Sequence, residues 1–420
     1  MTSGQKVVLA LLAISLIAGL ATGNRLYYRL SIFWTLLFFG SWLWSIFSLR
    51  SLLFNRSART LRAQVGQIFE ERFELQNQNR FPRVWLEIRD QTTLPGSDGS
   101  RVVTMLMGRQ TRSYLARIRL TRRGVFPLGP TRISTGDLFG LFPIEQELPA
   151  EDSLLVYPMM VEVKGFPNPP GLLPGGEALR RRTHQITPNA AGVRDYNTGD
   201  PLNRIHWLST ARRGRLMVKD FELDPLADVW IFLDAEAKVQ AALPQAPIDY
   251  FAKDFWPRTG KLPLPPSTEE YGVSIAASLV RDYLRRGRAV GFVCAGKHLT
   301  LISPDRGARQ LGKILEALAL SNAKGDLPLR ALIETQVKHM VRGSTVVLIT
   351  SSSSREVGVI VDFLIQRGLK PIAVLLDAAS FGGPPGADQL EASIKLLGIP
   401  SRMVRKDADL AAVLSDSYAR

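Results

Sequence analysis

Thirteen residues near the middle of the chain, DYNTGDPLNRIHW (195–207), bring together two Asp, one Arg, one His and two Asn. Side chains of these types can exchange protons with a substrate, bind an anion, or pair with one another as ions. The segment is therefore open to three interpretations: an active site, a surface for an anionic or acidic partner, or a polar joint between two domains.

The same segment also carries local signals for a helix. Asp200 suits the N-cap, where its carboxylate accepts from free backbone N–H groups, and Pro201 suits the first helical position. Apolar residues then recur every third position, at Leu202, Ile205, Leu208 and Ala211. Two arginines favour the last turn, and Gly214 favours the C-terminal cap. We predict a helix that starts at Pro201 and ends at Gly214, followed by an extended segment over 215–222.

The charge around this segment is strongly positive. Residues 178–222 contain nine Lys or Arg and four Asp or Glu. Such an excess binds phosphate or an acidic protein. Alternatively, charged side chains satisfy one another at a domain joint, and the candidates are Arg194, Asp195, Asp200, Arg204 and Arg212. Neither interleaved aromatic residues nor a known nucleic-acid motif accompanies them, so nucleic acid is not expected as a partner.

Two segments, 291–297 and 307–313, match the glycine and lysine spacing of a phosphate-binding loop. His298 and Ile314 follow them, in place of the Ser or Thr that would bind Mg²⁺. The first match runs through a predicted strand and the second lies inside a predicted helix, so neither forms a loop before a helix N-terminus. Nucleotide hydrolysis is not predicted.

No other catalytic or metal-binding set stands out. The four His residues are scattered, the sequence lacks a G-x-S-x-G nucleophile motif, and Cys294, the only cysteine, lies in an apolar strand. A single cysteine also excludes an internal disulfide, which fits a reducing compartment. We therefore nominate no catalytic residue. An enzyme with an unrecognised site is the alternative, and its polar residues would be Asp195, Asp200, Arg204 and His206.

Asp234 ends an apolar run, ADVWIFLD (227–234), that predicts a buried parallel strand. Ligands of open α/β sheets bind beyond the carboxyl ends of such strands. Asp234, Glu236 and the Thr350–Ser354 loop could supply oxygen ligands to Mg²⁺, although Lys238 would place an ammonium group nearby. We favour Asp234 as a cap for its loop and keep divalent-metal binding as the alternative, with no cofactor expected.

The first sixty residues contain two apolar runs, at about 7–23 and 30–49, which predict a transmembrane helical hairpin over 1–60. A cleaved secretory signal is the alternative for the first run, because Lys6 precedes it and small residues follow it. Several arginines follow the second run, so the positive-inside rule predicts a multi-pass protein of the cytoplasmic membrane with the bulk of the chain in the cytoplasm. The net charge of +15 suits an anionic lipid surface.

The rest of the chain predicts two further domains. Residues 61–164 contain half a dozen short β-rich runs and predict a β-sandwich-like domain. Residues 165–222 form a linker, rich in Pro and Gly at its start, and the polar segment described above. Residues 223–420 alternate strands with helices and predict an open, doubly wound α/β sheet with helices on both faces.

Residues 192–222 resemble the signature of the domain-of-unknown-function 58 family, approximately R-x-Y-x-x-G-D-x-x-R-x-I-[DH]-W-x-x-[ST]-A-R followed by L-x-V-K-x-[FY]-E. The signature and interaction residues that the resemblance selects are Arg194, Tyr196, Gly199, Asp200, Arg204, His206, Trp207, Ala211, Arg212 and Lys219. Asn203 stands at the family's second Arg position, and Arg204 follows one place later. The upstream motifs at 123–130, 137–142 and 156–158 also resemble the family, as do the two apolar segments.

The resemblance implies a von Willebrand factor A-like domain over 223–420 and a MoxR-type AAA+ ATPase as partner. The A-domain metal motif is D-x-S-x-S, of which only Asp234 is present; Glu236 and Lys238 replace the serines. The expected function is a membrane-anchored, non-enzymatic adaptor for envelope-related assembly or remodelling. A metal-dependent ligand-binding A domain with a degenerate site is the alternative.

Overall fold

The computed structural model describes residues 2–48, 51–96, 101–167, 190–197, 205–221, 228–244 and 263–415. The chain divides into two compact units. The first is built chiefly from Met1–Met159, and most of the chain from Met160 onward forms the second.

The first unit begins with two apolar helices, α1 (Ser3–Thr22) and α2 (Arg25–Ser48). Thr2 caps α1, and Gly23 ends it in the left-handed conformation. Both helices are long and apolar enough to cross a membrane, as predicted. Their burial pattern is the reverse of a soluble helix pair: most buried residues of the two helices are serines, whereas large apolar side chains are exposed. Small residues between the helices allow close approach, and Ser15 and Ser31 lie within 3.0 Å of each other.

Ten strands follow in the described residues of the first unit, and they account for the predicted β-rich region. They are β1 (Leu52–Ala58), β2 (Arg62–Gln64), β3 (Ile68–Asn77), β4 (Arg83–Asp90), β5 (Arg101–Leu106), β6 (Thr111–Arg119), β7 (Gly124–Pro127), β8 (Thr131–Thr135), β9 (Ile144–Leu148) and β10 (Ser153–Tyr157). Their sheet orders are β1-β3-β6, β5-β4-β8-β9 and β2-β10-β7. Alternate residues of β3 are buried, as expected for strands with one solvated face. The sandwich arrangement itself stays a prediction.

A half-buried arginine with two buried carboxylate partners joins two of these sheets. The Nε–H and Nη2–H groups of Arg56 on β1 donate to the two carboxylate oxygens of Glu71, each at 2.8 Å. Its Nη1 also pairs with Asp90 on β4 at 3.0 Å. The guanidinium lies over the Phe73 ring, which stacks on Tyr114. Burial raises the pKa of both carboxylates, and Arg56 opposes that rise by favouring their charged forms.

The second unit contains a two-stranded and a six-stranded sheet. In the smaller sheet, β11 (Ala190–Asp195) pairs with β12 (Met217–Phe221), and helix α3 (Trp207–Arg213) lies between them in sequence. The larger sheet contains β13 (Val229–Leu233), β14 (Val290–Ala295), β15 (Leu299–Asp305), β16 (Thr345–Thr350), β17 (Lys370–Leu376) and β18 (Ser401–Val404). Its order is β15-β14-β13-β16-β17-β18, with β15 antiparallel and every other neighbouring pair parallel.

Among the described residues, six further helices lie between or after these strands. They are α4 (Thr268–Arg285), α5 (Ala308–Leu320), α6 (Leu329–Gln336), α7 (Glu356–Gln366), α8 (Ala387–Leu396) and α9 (Leu410–Leu414). Trp230 and Phe232 of β13 pack into one core with residues of α6, α7 and α8. Side chains that alternate with these along the strands point to the other face of the sheet: Leu233 of β13 and Ile349 of β16 face Gly272 of α4. Helices therefore cover both faces of the mixed sheet, as the alternation of patterns predicted.

The segment at 160–167 lies along α4. Val161 N–H donates to Ser278 Oγ at 3.0 Å, and Arg281 donates to the Val161 carbonyl at 2.7 Å. Further along, Tyr283 donates to the Pro167 carbonyl at 2.9 Å, and the Phe166 ring meets the Tyr283 ring edge to face. These residues belong to the second unit.

Candidate functional site

The described part of the polar segment is held by β11 and β12. Asp195 pairs with Met217 at the end of the ladder, and Tyr196 N–H donates to the Leu216 carbonyl at 3.0 Å. Ile205 then forms a bridge to Val218, and His206 N–H donates to the Met217 carbonyl at 2.8 Å. The chain therefore returns to β12 in an extended conformation before it enters α3.

This geometry corrects the predicted helix start. The helix begins at Trp207, and His206 caps it by accepting the Ser209 N–H at Nδ1 over 3.2 Å. Ile205 cannot be helical, because its backbone is bridged to Val218 and its side chain is buried. The predicted end is confirmed: Gly214 closes α3 with a φ of 64°.

The apolar residues of this helix do not form a buried face. No residue of α3 is buried, and Leu208 and Ala211, which belong to the three-residue spacing, are exposed. Trp207 and Leu208 are 67% and 61% exposed. The local core is formed instead by Ile205, Met217 and Val218, because the extended strands, not the helix, face inward.

Charged residues lie in α3 and in or next to the two strands that flank it in sequence, β11 and β12. Arg212 and Arg213 are exposed in its last turn, and Asp195 pairs with Arg215 at 3.1 Å. Both partners of that pair are exposed, so it contributes little stability. Arg194 lies opposite Val218 on the ladder, and Lys219 lies opposite Val193. Gly199, Asp200 and Arg204 fall outside the described residues, so the salt-bridged joint stays a prediction.

The second candidate feature lies at the carboxyl ends of β13 and β16. Asp234 is buried there and accepts two hydrogen bonds, from the Thr350 hydroxyl at 2.6 Å and from the Glu236 N–H at 3.1 Å. Gln240 donates to the Asp234 carbonyl at 3.0 Å. Burial raises the pKa of Asp234 to about 6, although both hydrogen bonds to the carboxylate act in the opposite direction.

The hydroxyl groups at the end of β16 and just after it form hydrogen bonds within the chain. Ser351 donates to the Val239 carbonyl at 2.7 Å, and Thr350 Oγ1 accepts the Ser352 N–H at 2.9 Å. A cavity of about 10 Å³ lies between Asp234, Glu269 and Asn322, which is space for a single water. Among the described residues, no three His, Cys, Asp or Glu side chains are grouped to hold a metal ion. The arrangement fits Asp234 as a cap that joins two strand ends.

Comparison with known proteins connects these features. Residues 192–242 match the family model "Protein of unknown function DUF58". The chain is also 23% identical over 323 residues to the uncharacterized protein YeaD of Bacillus subtilis (strain 168), which covers 74% of this chain and 73% of that protein. The two matches support the DUF58 family. The DUF58 match contains both candidate features, since it includes α3 as well as Asp234.

Likeness to solved structures is slight. The CARDB domain of the PF1109 protein from Pyrococcus furiosus is 9% identical with a TM-score of 0.20, over 25% of this chain and 91% of that chain. A beta-glucosidase from Listeria innocua is 9% identical with a TM-score of 0.14, over 23% of this chain and 16% of that chain. At these TM-scores neither bears on the fold or the site of this chain.

Sequence reasoning identified Asp234 and Thr350 as neighbours, and the structure brings them together. It missed Gln240, and it missed Thr268, which donates to Gln240 Oε1 at 2.7 Å. A polar residue soon after a strand-end acid was the available signal. It also made no prediction for the exposure of Trp207.

Proposed function

We propose that this protein is a membrane-anchored, non-enzymatic adaptor whose second unit binds a partner protein through α3. The observation that carries the proposal is that α3 exposes Trp207 and Leu208 one to two turns before Arg212 and Arg213. Trp and Arg are the residue types that most often dominate the energy of protein interfaces. Because no residue of α3 is buried, the helix contributes little to the core of the second unit, and its apolar side chains are available to another protein.

The surface indicates the chemistry of the partner. Trp207 and Leu208 fit an apolar pocket, and the arginines of the last turn fit carboxylates at its rim. The family resemblance implies a MoxR-type AAA+ ATPase, and we propose an ATPase of this type as the partner, in envelope-related assembly or remodelling.

Anchoring is the second element of the proposal. The hairpin of α1 and α2 would retain the adaptor in the cytoplasmic membrane, with both helix ends and the bulk of the chain on the cytoplasmic side. The arginines after α2 support this orientation. Protease treatment of intact spheroplasts and of inverted vesicles tests it: the region from Leu52 onward should be cleaved only in the inverted vesicles.

We further propose that the six-stranded sheet is a von Willebrand factor A-like domain. The strand order, with one antiparallel edge strand and a doubly wound parallel remainder, supports this assignment. The position of Asp234 after β13, where the family resemblance places the first residue of the metal motif, supports it as well.

The adaptor role is tested with purified components. The full chain in detergent micelles is immobilised, and binding of a purified MoxR-type ATPase from the same cell is measured by interferometry. Trp207→Ala with Leu208→Ala should weaken binding at least tenfold, which is about 1.4 kcal/mol. Leu396→Ala is the matched control, since Leu396 is an exposed apolar residue at the end of another helix, and it should leave binding unchanged. Binding that is absent in the wild type, or equal in the α3 variant, contradicts the proposal.

A metal-dependent ligand-binding site at Asp234 and Glu236 is the second candidate. The observation in its favour is that Asp234 and Thr350 meet at the switch point of the sheet, where open α/β proteins bind ligands. Mg²⁺ would have to replace the hydrogen bond between them. Titration calorimetry of the full chain with Mg²⁺ or Mn²⁺ tests this candidate, with Asp234→Asn as the control. If the wild type shows no heat of binding, this candidate is eliminated.

A further inference from the structure

The loop between β8 and β9, DLFGLF (137–142), touches the ends of both apolar helices. Thr2 at the start of α1 donates to the Leu141 carbonyl at 3.0 Å, and Ser45 near the end of α2 donates to the Phe142 carbonyl at 2.8 Å. The Phe142 ring meets Phe38 edge to face at 5.0 Å. Phe38 lies about 15 Å before the end of α2, at ~1.5 Å per residue, so the loop reaches well along the helix.

Strand β4 and the turn that precedes it hold the same end of α2 at two other points. Arg83 is buried on β4 and donates to the Phe47 carbonyl at 2.6 Å, where a helix C-terminus favours a cation. Trp44 and Phe81 meet edge to face with ring centroids 6.5 Å apart. These contacts fix the distance between the loop and the apolar helices.

Large apolar side chains are exposed at this place. Phe139 is 65% exposed, Leu138 is 53% exposed and Phe81 is 61% exposed. We call Phe81, Leu138 and Phe139 the apolar rim. Their exposure does not follow from a loose loop, because the buried carboxylate of Asp137 accepts the Phe139 N–H at 3.0 Å and the Phe142 N–H at 2.7 Å. Trp85 also donates to the Asp137 carbonyl at 3.1 Å.

We propose that the apolar rim is inserted into the lipid bilayer that α1 and α2 occupy, at the boundary between headgroups and acyl chains. The loop is held rigidly beside residues that lie within the apolar helices, and it directs Leu138 and Phe139 outward at that level. Aromatic and aliphatic side chains are stabilised at this depth, where water is replaced by hydrocarbon. The inference rests on the proposed membrane anchoring and adds a third attachment, made by the β-rich region itself.

The function of such an attachment is to set the orientation of the first unit on the membrane. Two helices alone can tilt in the bilayer together with the strands that they contact, whereas an inserted loop provides a further fixed point. The hydrogen bonds that Asp137 accepts hold the loop in place beside α1 and α2.

The test uses the full chain in lipid nanodiscs, with Cys294→Ala to remove the native thiol. Single cysteines replace Phe139, Leu138, Leu36 or Val103, and each is labelled with an environment-sensitive fluorophore. Quenching is then measured with two sets of lipids, one that carries a nitroxide near the headgroup and one that carries it midway along the acyl chain, at the depth of Leu36. Val103 is the matched control, because it is 61% exposed on β5 of the same unit, and Leu36 reports on α2 within the bilayer.

Labels at Phe139 and Leu138 should be quenched several-fold more strongly than the label at Val103. Adding Asp137→Ala to the Phe139 variant should reduce that quenching, since the loop loses both of its internal hydrogen bonds. If Leu36 is quenched while Phe139 and Leu138 resemble Val103, the apolar rim is not in the bilayer and this inference alone fails. If Leu36 is not quenched either, the membrane anchoring fails and the inference fails with it.

Discussion

The Thr350 hydroxyl donates to the Asp234 carboxylate over 2.6 Å, which joins the carboxyl ends of two neighbouring parallel strands, β13 and β16. The order of the chain through the sheet reverses beside this pair, because β14 lies on one side of β13 and β16 lies on the other. The bond therefore links the two strand ends at the switch point of the sheet, where open α/β proteins bind ligands. It also uses oxygen atoms that a metal ion would need.

Asp234 should make the stability of the second unit depend on pH. Its pKa is raised from 3.8 to about 6, so the folded chain binds a proton that the unfolded chain releases between these values. The stabilisation is complete below about pH 4 and is lost as the pH rises to about 6, a change of ~3 kcal/mol at most. Urea unfolding at pH 4, 5, 6 and 7 measures it. Asp234→Asn should remove this dependence, whereas Asp326→Asn, at an exposed carboxylate, should keep it; equal profiles for all three chains would contradict the assignment.

Thr350→Val should destabilise the second unit by about 1–3 kcal/mol, because a buried carboxylate loses a donor while the side-chain volume is kept. The loss of that donor should also raise the pKa of Asp234 further. Thr350→Ser keeps the hydroxyl and should recover most of the stability. Chemical denaturation gives the free energies, and a serine variant as unstable as the valine variant would show that packing, not the hydrogen bond, is responsible.

Arg56→Met should destabilise the first unit by about 3–5 kcal/mol, because Glu71 and Asp90 are left as buried carboxylates without a cation. Arg101→Met is the matched control, since Arg101 pairs with Glu87 at 2.7 Å but is exposed, and a change within about 1 kcal/mol is expected. Thermal melting in detergent measures both. Similar melting temperatures for the two variants would contradict the role of the buried cluster.

Trp207→Ala and Leu208→Ala should each leave the unfolding free energy of the second unit within about 0.5 kcal/mol of the wild type, because neither side chain is buried. Met217→Ala, at a buried position on β12, should cost about 2–5 kcal/mol. Unfolding curves of the three variants distinguish a free helix from a packed one. A large loss at Trp207 would place α3 in the core and remove the basis for partner binding.

The central strands and the helices around them could be predicted from sequence because their signal is local. A run such as the one that ends at Asp234 is apolar throughout, which requires burial on both faces, and β13, β14 and β16 are buried at every position. The two apolar helices follow from length and composition alone. The end of α3 follows from the conformational freedom of Gly214.

The rest depends on contacts between residues far apart in sequence. Ile205 had a place in a helical period, but its backbone pairs with Val218, and the tertiary bridge outweighs the local preference. The polar bonds of Thr2 and Ser45 to the loop at 137–142 have no signal in either segment alone. Asp234 and Thr350 were predicted to be close only because parallel strands bring their carboxyl ends to one edge.

The packing of 160–167 on α4 determines how the second unit can be produced alone. A fragment that starts at Met160 retains Phe166 against Tyr283 and keeps carbonyl acceptors for Arg281 and Arg286. A fragment that starts at 168 would remove those acceptors and uncover an apolar strip of the helix, which favours aggregation in the expression host. A fragment that carries the second unit should therefore begin at Met160, even though the Pro- and Gly-rich sequence would suggest a cut within 165–177.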